Sequence, residues 1–191
     1  MAEGDDRRRR EARPARAPRR ITPDYLQRAA MHYLERYSAP AAQLRRVLAR
    51  KIALSCRHHG EDPAMHAAVL DDVVSRCIRS GLVDDQRFAE ARAATLRRRG
   101  RSARAVAASL TAKGVGRELA QQASSAGDDE ELAAARKAAR RKRLGPWSRA
   151  DRTASRQKDL AALARAGFSI TVARAVIDGA GDEDANDGAL I

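Results

Sequence analysis

Between residues 22 and 178 the apolar positions recur with a helical period. Leu26, Ala29, Ala30, Tyr33, Leu34 and Tyr37 fall at i, i+3, i+4, i+7, i+8 and i+11, one stripe of a first helix. Ser38 is placed to cap a second helix, Pro40 suits its first turn, and Leu44, Val47, Leu48 and Ile52 form its stripe. After a loop near His58 to Pro63, Val69, Leu70, Val73, Val74, Cys77 and Ile78 mark a third helix that ends at Gly81. Asp84 and Asp85 suit the start of the next helix, which carries Phe88 and runs to Arg99 before Gly100. Ser102 caps a helix bearing Val106 and Leu110 that stops at Gly114, and a shorter helix covers 117 to 123. Three more are predicted at 128 to 144, 151 to 166 and 171 to 179.

The pattern repeats. Leu110, Lys113, Gly114 and Val115 align with Leu163, Ala166, Gly167 and Phe168 at an offset of 53, and Leu48 to Lys51 aligns with the first set at an offset of 62. The expected fold class is all-α: three tandem three-helix repeats forming an elongated array that is able to curve. The expected divisions are a disordered basic arm at 1–20, repeats at 21–80, 81–126 and 127–180, and an acidic flexible tail at 181–191. The arm holds eight arginines and almost no apolar residue, so it lacks the means to order itself, and its deletion is expected to leave the fold intact.

Composition sharpens this. Aromatics are 3% of 191 residues, so several thin cores of Leu, Val and Ala are expected instead of one thick one. Lys and Arg number 38 against 25 acids, a formal charge of +13 that points to a polyanion or an acidic protein surface. Without an apolar run long enough for a membrane span or a secretory signal, the chain is expected in the cytoplasm and off the membrane. Cys56 and Cys77 are expected to be free thiols, Cys77 buried on a helix face.

Two basic clusters are the candidate partner or DNA contacts. Arg92, Arg97, Arg98, Arg99, Arg101 and Arg104 surround the first turn of the second repeat. Arg136, Lys137, Arg140, Arg141, Lys142 and Arg143 crowd the end of the third repeat's first helix. Like charges at i and i+4 repel by about 0.2–0.5 kcal/mol, so this density without matching acids points to an anionic partner, the alternative being a solvated face. These helices offer Arg and Ala more than base-reading Asn or Gln, which favours sequence-independent contact to phosphates or carboxylates on single- or double-stranded DNA or on protein. Trp147 beside Pro146 reads as a packing residue, and Phe88 and Phe168 as core residues.

Nothing points to catalysis. No phosphate-binding glycine loop, nucleophile elbow or HExxH segment is present, so no catalytic residue, cofactor or metal is expected. His58 and His59 near Cys56 make a poor closed metal site, being adjacent in a loop without acidic support.

Gly81, Leu82, Val83, Asp84, Asp85, Gln86, Arg87, Phe88 and Ala89 resemble the turn and helix start of the RecX family, regulators of the RecA recombinase. Ser38 with Leu44, Leu48 and Lys51 resembles the family's first-repeat second helix. Lys113, Gly114 and Val115 resemble its second-repeat helix end, and Gly167, Phe168 and Ser169 its third-repeat helix end. The resemblance spans residues 22 to 178. It departs at Ala166, where the family often carries arginine; Arg165 stands one position earlier. It implies a monomeric, non-enzymatic modulator that inhibits RecA by lodging in the groove of the RecA–DNA filament, with weaker binding to DNA alone. The competing class is a stand-alone helical DNA-binding protein of nucleoid or transcription-factor type, and a third is an RNA binder that prefers structured RNA.

Overall fold

The computed structural model describes residues 17–180. Most of the basic arm, residues 1–16, and the acidic segment at 181–191 lie outside them. Nine α-helices and no strand occur among the described residues: α1 (Pro23–Leu34), α2 (Ala41–His59), α3 (Ala67–Arg79), α4 (Asp85–Arg98), α5 (Ala103–Lys113), α6 (Arg117–Ser124), α7 (Asp128–Lys142), α8 (Arg152–Arg165) and α9 (Ile170–Ile177). Two short 3-10 turns, Pro63–His66 and Gly145–Trp147, interrupt the connections. Within each group of three, the third helix packs on both of the others.

Three separate cores result. Leu26, Leu44, Leu48, Ile52, Val73 and Cys77 fill the first. Ala89, Ala93, Val106, Leu110 and Ala120 make the second. Alanines 134, 135, 138 and 139 on α7 pack against Leu163, Phe168 and Val176 in the third, where Trp147 lies at the edge. In the second and third cores alanine brings helix axes close and leaves little apolar area, so those units gain from their neighbours.

Four expectations change on contact with tertiary structure. Ser38 does not cap α2: it is exposed, Pro40 occupies the cap position, and the Ala41 N–H donates instead to Asp85 Oδ1 of α4 at 2.7 Å. A carboxylate at a helix N-terminus is a stronger acceptor than a hydroxyl. Helix α1 ends at Leu34, which leaves Tyr37 57% exposed against Tyr33, and Ile78 at the end of α3 is 47% exposed. Val83, assigned by pattern to the second repeat, is buried in the first core, because its N–H bonds back to Cys77 O across the turn at Gly81.

The last residues of the basic arm are also docked. Ser55, buried on α2, donates to Arg19 O at 2.8 Å, His59 Nε2 lies 2.9 Å from Pro18 O, and Arg20 pairs with Glu61. A deletion through residue 20 therefore strips a buried hydroxyl of its acceptor, whereas one stopping at 16 leaves these contacts in place.

The C-terminal end of the third unit is held by arginines of α8. Arg152 donates to Ile177 O and Gly179 O at 3.1 and 3.0 Å, and Arg156 makes two 2.7 Å bonds to the Asp178 carboxylate. Hydrogen bonding from Arg156 holds the Asp178 pKa below the usual aspartate range. Because the folded-state value is the lower one, the pair's contribution is fully present above the ordinary aspartate pKa and is lost as pH falls through the depressed one. Urea midpoints measured across that acid range should decline for the native chain by more than for Asp178→Asn, which lacks the titration.

Candidate partner-binding groove

The second helices of the three units run head to tail, and two equivalent joints set their line. Gly114 closes α5 at φ +101, where a Cβ would stand 2.8 Å from Ala42 Cβ in the first turn of α2. Gly167 closes the α8 turn at φ +93, where a Cβ would stand 2.6 Å from Ser102 Oγ at the start of α5. Each glycine thus serves twice, supplying the left-handed backbone that ends a helix and the clearance that admits the next helix. Polar bonds fasten both joints: Arg46 donates to Lys113 O at 2.7 Å, and Ser102 donates to Ala166 O at 2.7 Å. The free carbonyls of one helix end are satisfied by the helix it abuts.

Acids from the following unit's first helix secure the same joints. Asp85 caps α2 as described, and both Glu131 oxygens accept from Ala103 N–H of α5 at 3.2 and 3.0 Å. Asp84 remains local, accepting from Arg87 N–H at 2.9 Å. Two acids that read alike in sequence therefore hold different helices.

A groove follows the line of joints. A cleft of about 780 Å³ over the first joint is lined by Gln43, Arg46, Arg50, Ser109 and Lys113. Ser109 also borders a cleft of about 620 Å³ over the second joint, walled by Arg101, Arg104 and Arg165. Arg101 and Arg165 continue into a third of about 270 Å³ with Arg141 and Lys142. Among the described residues, eight cations line the three clefts and no acid does. Cations without counter-charges along one concavity focus a positive potential that draws anions.

Both sequence clusters contribute to this groove, in part. Arg101, Arg104, Arg141 and Lys142 line it. Arg98, Arg99, Arg136, Lys137, Arg140 and Arg143 are exposed but outside its walls, and Arg92 is half-buried on α4. Arg141 Nη1 also donates to Arg99 O at 2.6 Å, tying α7 to the end of α4.

Arg97 differs from its neighbours. Its side chain is only 20% exposed and donates to the Ser124 and Ser125 carbonyls at the end of α6, with Glu130 Oε2 at 3.2 Å. It clamps the second unit to the start of the third, and these contacts already engage both of its terminal nitrogens. Hydrogen bonds from charged groups contribute roughly 1.5–3 kcal/mol, so Arg97→Ala should lower unfolding free energy in urea by about 2 kcal/mol. An unchanged midpoint would mean the clamp is idle.

Arg46, Arg50, Lys113 and Arg165 were not among the sequence candidates. Lys113 and Arg165 sit in the last turns of α5 and α8, where a cation is explained by the helix dipole alone. A signal was present in hindsight: a cation stands within two residues before each repeated glycine, which places it beside the joint.

The fold and groove define an all-α repeat protein with an extended anion-attracting surface. Residues 84–123, which are α4 to α6, match the family model described as RecX, second three-helix domain. Over 181 residues the chain is 42% identical to the regulatory protein RecX of Myxococcus xanthus (strain DK1622), covering 93% of this chain and 96% of that protein. No solved structure matches it. The chain belongs to the RecX family of regulatory proteins. No helix among the described residues is long and apolar enough to cross a membrane.

Proposed function

We propose that the chain is a non-enzymatic inhibitor of the RecA recombinase that lodges along the RecA–DNA filament in the cytoplasm and restrains filament growth, ATP hydrolysis and strand exchange. Family membership supports RecA as the target, and the groove along α2, α5 and α8, lined by eight cations and no acid among the described residues, is the observation that carries the mode of binding. In this reading the repeats at 21–80, 81–126 and 127–180 engage more than one protomer as a monomeric ligand. The groove cations meet phosphates or acidic side chains of the filament.

Arg and Ala along its walls supply charge and clearance with little base-reading chemistry, so binding is independent of DNA sequence. DNA alone presents only part of this surface and binds more weakly, with a steep salt dependence. The deciding experiment titrates purified protein into RecA filaments and measures ATP hydrolysis, beside binding to naked single- and double-stranded DNA at the same salt. Inhibition at concentrations well below those needed for naked DNA supports the proposal. Tighter binding to naked DNA with no effect on hydrolysis would transfer the chain to the stand-alone DNA-binding class.

A further inference from the structure

Away from the groove, the end of α2 and the 3-10 turn that follows bring together three side chains of different chemistry. Cys56, Glu61 and His66 are spaced five residues apart, and their ligating atoms all lie within 4.8 Å of one another. We propose that Cys56, Glu61 and His66 form a binding site for a thiophilic divalent cation, with zinc as the natural occupant.

Geometry favours this set over the histidines adjacent in sequence. His58 is exposed, and His59 stacks edge-on against it while Nε2 meets Pro18 O. His66 Nε2, by contrast, lies 3.3 Å from Glu61 Oε2, near the edge of about 3.4 Å that tetrahedral zinc imposes on a nitrogen and an oxygen ligand. Arg20 takes the other carboxylate oxygen, Oε1, and so aims Oε2 into the cluster, the orienting role that outer partners play at metal sites. The acidic support that is missing beside His58 in the sequence arrives through the left-handed turn at Gly60.

Cys56 is 1% exposed, which shields its sulfur from bulk solvent. Binding then releases the thiol proton to solvent as the metal–sulfur bond forms, with no change of oxidation state. Glu61 and His66 side chains are 23% and 15% exposed, so a cation enters from their side and keeps its fourth position for water. Sulfur, imidazole and carboxylate together suit zinc and do not suit magnesium or calcium.

The test uses the reduced, untagged full chain and cobalt(II) as a spectroscopic stand-in. One equivalent should produce a thiolate-to-cobalt band with tetrahedral visible bands, and zinc should displace it and raise the thermal midpoint. Cys56→Ser should abolish the thiolate band. His66→Ala, whose side chain is partly exposed and whose loss should leave the fold intact by circular dichroism, should weaken affinity by more than the roughly 10- to 100-fold that loss of an outer partner costs. Cys77→Ala and His32→Ala should leave both unchanged. The site is overturned if the native chain shows no thiolate band, if the band survives at native affinity in folded His66→Ala, or if Cys77→Ala removes it.

Discussion

Replacing Arg101, Arg104 and Arg165 together by glutamate should raise the concentration needed to inhibit filament ATP hydrolysis by about 100-fold or more while leaving the helical fold intact. The three guanidinium groups wall one cleft over the second joint, and each reversal removes an attraction and adds a repulsion. Several kcal/mol of lost binding follow, and about 1.4 kcal/mol is tenfold in affinity. Stability changes little, because each exposed charge contributes roughly 0–1 kcal/mol and the native crowding is itself unfavourable. Arg97 is left out of the set because it clamps two units together, and its reversal would destabilise the fold that the assay needs intact. The matched control is Arg136→Glu with Arg140→Glu, two exposed α7 positions outside the groove, which should move inhibition far less. A folded triple variant that inhibits at the native concentration would show that the groove is solvated scaffold.

Gly167→Ala should destabilise the chain by about 2–3 kcal/mol and loosen the third unit from the second. Part of this is backbone: an L-residue in the left-handed region loses about 1–2 kcal/mol. The remainder is local crowding, since the new methyl would fall 2.6 Å from Ser102 Oγ and displace the hydroxyl from Ala166 O. Gly81→Ala separates the two contributions, because Gly81 has φ +72 and nothing within 4 Å of a built Cβ. In urea unfolding, Gly81→Ala should register the backbone share alone. Equal losses at both positions would mean that the joint is not closely fitted.

These expectations depend on unequal legibility. Periodic Leu, Val and Ala place the helices within a few residues, and the recurrence around Leu110 and Leu163 reveals the repeat. Both signals are local, since they record which face of a helix is buried and where its hydrogen-bond ladder must stop. Sparse aromatics likewise announce thin, separate cores. Gly114 and Gly167 are legible as helix ends, because their left-handed conformation is a property of the residue itself.

Partners reached across the chain are not legible in that way. The pairs Arg46 with Lys113 and Ser102 with Ala166 are 67 and 64 residues apart, and only the stacking of α8 on α5 and α5 on α2 makes them neighbours. That stacking brings Arg101 of one sequence cluster beside Arg141 and Lys142 of the other and adds Arg165, while the packing of α4 on α6 turns Arg97 inward. It also gives the cap of α2 to Asp85 in place of Ser38. Long charged side chains carry no periodic imprint of their contacts, because their reach lets one residue serve solvent, a helix end or a neighbouring unit at similar local energy. Helix and repeat are therefore properties of the sequence, while the groove exists only where the three units meet.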